Sequence, residues 1–230
     1  MRTGIFIQVR LGSTRLPRKA LLPLADGTII THVMRTLSTV PAEAKALLTD
    51  PQSAEELEPS AAAEGYALFI GHPQDVLARY CSACRQYGVS RVVRATGDNP
   101  LTSGDLARRI LALHESRNAD LSHFLGIPWG SGVEIVEAAA LFAAEREAVG
   151  PDEREHITTY LYRHPEKFSI VEAPAPPGTL AEKARVTVDT DEDYERVKGI
   201  FRALYHGAPI EIDAIVRWFA AQVPGGRDGA

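Results

Sequence analysis

Residues 4–19, GIFIQVRLGSTRLPRK, decide how the chain is to be read. Gly4 to Val9 is an apolar run of strand length, and it passes directly into a turn-rich segment holding Gly12, Ser13, Thr14 and Pro17. That segment also carries four cations, Arg10, Arg15, Arg18 and Lys19. In an open parallel sheet, ligands bind beyond the carboxyl ends of the strands, where loops run into helix N-termini. A first strand ending in a glycine-bearing basic turn therefore predicts an α/β fold with an anion site at that strand's end. The loop is neither a Walker A sequence, since no Ser or Thr follows Lys19, nor a dinucleotide fingerprint, which needs three glycines. A solvated basic loop is the other reading of the same residues.

Outward from this segment, short apolar runs alternate with amphipathic stretches, as strands linked by crossover helices do. Candidate strands are GIFIQV, KALLT, YALFI, RVVRAT, DLSHF, VEIV, FSIVEA and ARVTV. Helices are expected over 28–37, from Val76 to a stop at Gly88, from Ser103, from Pro151 toward His164, from Asp191 and from Glu211. Pro59 is expected to break the helix that opens after Asp50-Pro51. Residues 1–222 read as a single domain. Residues 123–183, where the alternation is less regular, are expected to form an inserted arm on an acceptor or dimer side, and 223–230 a frayed tail.

The chain has 230 residues, enough for a full core, and a formal net charge of -5. Long nucleic acid held by its backbone is excluded as a partner, because there is no overall positive field; an anion bound here is small and locally gripped. The first apolar run is too short for a signal peptide and no stretch is long enough for a bilayer, so a cytoplasmic location without membrane contact is expected. Both cysteines, in RYCSACRQYG, fall on a helical apolar stripe and read as inert core thiols rather than a redox or zinc pair.

Two strand ends share the pattern R-x-T-x-D: Arg94, Thr96 and Asp98, then Arg185, Thr187 and Asp189. Residues two apart on a strand face the same way, so each segment aligns a guanidinium, a hydroxyl and a carboxylate at the ligand edge. Each aspartate has a second reading as the cap of the turn or helix that follows. With the basic loop, the pair also suits a divalent metal, since Mg²⁺ takes one or two carboxylates plus phosphate oxygens.

QVRLGSTRLPRK resembles the Q-A-R-x-G-S-T-R-L-P-G-K signature of cytidylyltransferases, the group containing the KDO and acylneuraminate enzymes. GHPQDVLARY, RATGDNPL, EREHITTYL, PEKF and RVTVDTDED are similar, in this order, to segments of the spore coat polysaccharide biosynthesis protein F branch. The resemblance implies a Rossmann-like, glycosyltransferase-A-type, mostly parallel sheet with helices on both faces. It implies a Mg²⁺-dependent nucleotidyltransferase, frequently a homodimer, that moves CMP from CTP to a sugar acid or a small phosphorylated or phosphonate acceptor and releases pyrophosphate, in surface polysaccharide or related biosynthesis. Carried over, Arg10, Gly12, Ser13, Arg15 and Lys19 would hold the triphosphate, with Arg10, Lys19 and Asp98 catalytic and Asp98 and Asp189 on the metal. Val9 and Thr96 are placed near the base. Arg18 departs from the signature's glycine, and Asp191 is a second carboxylate that could assist or replace Asp189.

An anionic acceptor would need cations, for which Arg94 and Arg185 are placed by strand alternation. A hydroxyl acceptor would need a base, and His123, Glu134, Glu155 and His156 are the candidates. A glycosyltransferase consuming a sugar nucleotide is the first rival, because D-T-D at 189–191 resembles a metal-binding D-x-D. A non-catalytic nucleotide-binding module is the second.

Overall fold

Strand β1 (Thr3–Gln8) lies near the middle of a seven-stranded sheet in the computed structural model, which describes residues 1–222. A 3-10 turn at Lys19–Leu21 and a small hairpin, β2 (Pro23–Leu24) and β3 (Gly27–Thr28), lead to helix α1 (Ile29–Leu37). There follow β4 (Ala44–Thr49), α2 (Ala54–Ala63), β5 (Ala67–Ile70), α3 (Val76–Tyr87), β6 (Arg91–Thr96) and α4 (Gly104–Arg117). The second half supplies β7 (Leu121–Leu125), β8 (Glu134–Glu137), α5 (Ala138–Glu147), α6 (Pro151–Glu155), α7 (Thr159–Arg163), β9 (Ile170–Pro174), α8 (Asp191–Leu204) and α9 (Ile212–Gln222).

The strand order is β5-β4-β1-β6-β8-β7-β9. Strand β1 pairs in parallel with β4 and β6, β4 with β5, and β7 with β9, while β8 runs antiparallel to both its neighbours. The chain therefore leaves β1 to one side for β4 and β5 and returns to its other side for β6. That reversal leaves a crevice at the carboxyl ends of β1 and β6, and the basic loop emerges into it.

Alternation along β1 explains the helix layers. Ile5 and Ile7 pack on one face with Ile30, Val33 and Met34 of α1 and Ile110 of α4. Phe6 packs on the other with Leu77, Tyr80, Cys81 and Cys84 of α3 and Leu141 of α5. Burial of side chains on both faces requires near-continuous apolar runs, which is what GIFIQV and KALLT are. A third cluster, with Leu24, Val186, Val188, Val197 and Ile200, seats α8 and α9 beside the hairpin. Both thiols are buried and free, and burial pushes Cys84 up to about 12 and Cys81 higher still, as inert core thiols require.

Three local expectations are corrected. Ala184–Val188 is not a sheet strand; it makes one parallel bridge, Trp129 with Arg185, and ties to the sheet through Val188 N–H donating to the Asp98 carbonyl at 2.9 Å. Its apolar residues alternate because they fill the third cluster rather than a sheet face. Helix α2 continues through Pro59, since Glu55, the residue whose carbonyl loses its bond, is exposed and water can take it. The helix from Pro151 stops at Glu155 and resumes at Thr159, where Thr158 donates its hydroxyl to Glu134 instead of continuing a helical surface. Helix α5 had no counterpart among the expected elements. The expected tail lies outside the described residues. No helix among these is long and apolar enough to cross a membrane.

Candidate active site

The loop after β1 is pinned at both ends. Val9 N–H donates to the Leu48 carbonyl at 3.1 Å, Leu11 N–H to Ser53 Oγ at 2.9 Å, and Arg18 N–H back to the Leu11 carbonyl at 3.1 Å. Between these fixed points residues 12–15 line the crevice, while Leu16 turns into the third apolar cluster. Gly12 has no positive φ, and a Cβ placed there would meet nothing within 4 Å, so folding does not demand a glycine; open backbone facing the crevice remains its physical consequence. Gly97 is different. A Cβ there would sit 2.8 Å from Val9 Cβ, so only glycine lets the ends of β1 and β6 close on each other.

These elements enclose an open cleft of about 370 Å³. Gln8, Val9, Arg10, Gly12, Ser13, Thr14, Arg15 and Lys19 form one wall, Thr96, Gly97 and Asp98 the end of β6, and Val76 and Arg79 the start of α3. Glu155 and His156, at the break between α6 and α7, and Asp189 complete it. At its base the Lys19 ammonium donates to Asp98 Oδ2 at 2.6 Å and to Asp189 Oδ1 at 2.7 Å. Arg185 donates to the other Asp189 oxygen at 2.6 Å, and Arg15 stands 3.4 Å from Oδ1. Burial pushes the Asp189 carboxyl up, but Lys19, Arg15 and Arg185 outweigh it and hold it below the usual carboxylate range.

Arg10 reaches across the cleft to Glu155 at 3.0 Å, and both are half-exposed, so the pair is weak and easily exchanged for a ligand. Asn99 donates to the Thr96 hydroxyl at 2.7 Å, fixing that side chain. The cleft thus brings together Val9, Arg10, Gly12, Ser13, Arg15, Lys19, Thr96, Asp98, Glu155, His156 and Asp189.

Other sequence candidates lie elsewhere. Arg94 and Glu134 do not line the cleft: they face each other across β6 and β8 at 3.1 Å, and Thr158 and Tyr162 take the remaining Glu134 valence. Burial lowers the Arg94 pKa, yet Glu134, Tyr80 and Asp98 together outweigh it and leave it raised. Arg185 is held by Asp189 and Asp193 behind the wall. Asp191 is exposed in the first turn of α8, where Thr190 and Asp193 form the capping box. His123 pairs with Glu172 at 3.3 Å near the far edge of the sheet.

Arg18 adopts a left-handed conformation, φ 59° and ψ 23°, which explains a glycine at this place in the signature. Its guanidinium turns away from the cleft to pair with Glu56. Arg18→Gly is therefore expected to leave turnover within about twofold and to hold or raise Tm, because relief of roughly 1–2 kcal/mol of backbone strain offsets the added chain entropy. Steady-state kinetics beside a thermal melt check this; a loss of turnover above tenfold would mean that Arg18 touches substrate.

Arg79 was missed. Only 2% exposed, it donates to the carbonyls of His72 (3.1 and 2.6 Å) and Pro73 (3.0 Å) and lines the cleft with no carboxylate of the described residues in ion-pair contact. Burial lowers its pKa. An arginine inside the apolar stripe of VLARY was the available signal, since a buried cation requires a reason.

No group of three or more His, Cys, Asp or Glu side chains that could cage a metal occurs among the described residues. A cation here would have two carboxylates, Asp98 and Asp189, and would depend on ligand oxygens for the rest, a donor set compatible with Mg²⁺.

A cytidylyltransferase family profile matches residues 5–211. The spore coat polysaccharide biosynthesis protein SpsF of Bacillus subtilis (strain 168) is 31% identical over 203 residues, covering 85% of each chain. A cytidylyltransferase structure from Leptospira borgpetersenii superposes with TM-score 0.88 at 29% identity, over 96% of this chain and 95% of that one. The structure of CMP:2-keto-3-deoxy-manno-octonic acid synthetase complexed with CTP gives TM-score 0.67 at 15% identity, over 88% and 99% of the two chains, a likeness of fold. With the signature loop, the strand order and the profile in agreement over nearly the whole length, the chain belongs to the cytidylyltransferase family and is a nucleotidyltransferase.

Proposed function

We propose that the protein transfers CMP from CTP to an oxygen of a small acceptor, a sugar acid or a phosphorylated or phosphonate metabolite, in surface polysaccharide or related biosynthesis. The observation that carries this reading is the meeting of Lys19, Asp98 and Asp189 at the base of a cleft walled by the basic loop. A divalent cation, expected as Mg²⁺, would be held by Asp98 and Asp189 and would neutralise phosphate charge there. The acceptor oxygen forms a bond to the α-phosphorus as the bond to the bridging oxygen breaks, and pyrophosphate leaves with that electron pair. Lys19 and Arg10 offset the charge that builds on the α-phosphate and the leaving group, and the loop amides around Gly12 and Ser13 cradle the tail.

Arg94, Glu134 and Arg185 are committed to protein partners, so the acceptor end is assigned to Glu155, His156 and the Arg10 that Glu155 would release. Residues 123–183 are read as the acceptor side of one domain spanning 1–222, and a homodimer is proposed from the resemblance. A sugar-nucleotide-consuming reading has less support, because Asp191 of the D-T-D does not line the cleft. The B. subtilis relative's name directs the first acceptor panel toward sugar acids.

Pyrophosphate release, measured with each NTP against a panel of sugar acids and small phosphates, tests the reading. Release confined to CTP with one acceptor class is expected; sugar-nucleotide consumption without pyrophosphate would overturn it. Gly12→Ala separates folding from binding: its Tm is expected unchanged, since a Cβ meets no protein atom, while KM for CTP rises by about tenfold or more because the methyl stands where phosphate approaches. An unaltered KM would move the triphosphate off this loop.

A further inference from the structure

Lys19 is placed oddly for a residue that should only greet phosphates. Its side chain is 12% exposed, and the ammonium sits 2.6 and 2.7 Å from oxygens of the two carboxylates named above as cation holders. A metal ion about 2.1 Å from both oxygens would need the space that this nitrogen fills. Arg15 and Arg185 also face Asp189, but Arg15 is 67% exposed and Arg185 holds the other oxygen, so among the described residues only Lys19 spans the pair. Val188 N–H donates to the Asp98 carbonyl at 2.9 Å, which ties together the two backbone segments that carry these carboxylates.

We infer that Lys19 is a resident counter-cation that keeps metal off the Asp98–Asp189 pair until a triphosphate draws the ammonium away. The inference rests on the reading of the cleft as a CTP site. Its logic is electrostatic. Two carboxylates this close repel unless a cation lies between them, and the lysine supplies that cation without any ligand bound. A polyphosphate tail entering along residues 12–15 offers the ammonium several anionic oxygens in exchange, and the flexible four-carbon stem lets it swing while its backbone stays in the Lys19–Leu21 turn. The vacated carboxylates would then be free to hold the metal, with phosphate oxygens supplying further ligands. Metal and nucleotide affinities are thereby coupled, and by linkage each must strengthen the other.

The test is Mn²⁺ binding without nucleotide, read by electron paramagnetic resonance of free Mn²⁺, in the full chain and in Lys19→Met and Lys19→Gln. These are two neutral replacements of similar length, each checked by thermal melt. Both variants are expected to bind Mn²⁺ at least about 10-fold more tightly than the unaltered chain, and Asp98→Asn added to either should remove the gain. Affinity equal to or weaker than that of the unaltered chain in both folded variants overturns the inference. If the unaltered chain still binds α,β-methylene-CTP with Mn²⁺ in that case, the CTP reading survives and only the role given to Lys19 fails. If one variant unfolds, the other decides.

Discussion

Asp98→Asn is expected to lower kcat for pyrophosphate release from CTP by on the order of 10³-fold, with a smaller change in KM. Asparagine keeps the shape and one acceptor oxygen, so Lys19 retains a partner and the fold retains its packing. What disappears is the negative charge that, with Asp189, makes the base of the cleft a place for a cation. Asp189→Asn should lose a comparable factor, and the double variant little more, because two groups serving one cation act as a unit. Stopped assays following pyrophosphate at saturating CTP check this. Activity within tenfold of the unaltered enzyme in both single variants would remove the carboxylates from the chemistry.

The second large effect is expected at Lys19. Lys19→Ala should depress kcat by about 10²-fold or more, since charge develops on the α-phosphate and leaving group only as the bond breaks. Lys19→Arg is not expected to restore it. The ammonium occupies a narrow position between two acids, with 12% of the side chain exposed, and a planar guanidinium is broader and places its charge differently. Full activity in Lys19→Arg would reduce the residue to a general source of positive charge. The two sets of variants also part company in binding: removing an aspartate should weaken the metal, whereas removing the lysine should strengthen it in the absence of nucleotide.

Much of this was legible before any coordinates. The β1 run and its basic loop located the crevice, because an apolar strand buried on both faces followed by glycine and cations has few other uses in an α/β sheet. The second R-x-T-x-D was expected to set Asp189 at the same edge as Asp98, and one lysine does contact both, but the local reason differs. ARVTV reaches Asp98 as an extended segment held by Val188 and the Trp129 bridge, not as a sheet strand. Alternation reports a buried face, and a face against α8 looks the same in sequence as a face against a sheet.

Strand logic failed for Arg94 and Glu134 because register is invisible in one sequence. They are directly opposed across β6 and β8, forty residues apart, and neutralise each other. Arg79 was hidden for the reverse reason: one cation inside a helical stripe looks like a surface position out of phase, until the carbonyls of His72 and Pro73 are seen to hold it. Arg18 shows the limit of a signature. It departs from the signature's glycine, yet its backbone adopts a left-handed turn of the kind glycine favours, and Glu56 receives the side chain.

Diffraction from crystals grown with α,β-methylene-CTP and Mn²⁺, collected at the manganese edge, tests the central claim most directly. The account predicts an anomalous peak bonded to oxygens of both Asp98 and Asp189, with the triphosphate lying along residues 10–19 and the Lys19 ammonium shifted onto it. Manganese bound away from that pair, or a nucleotide seated outside this cleft, would contradict it.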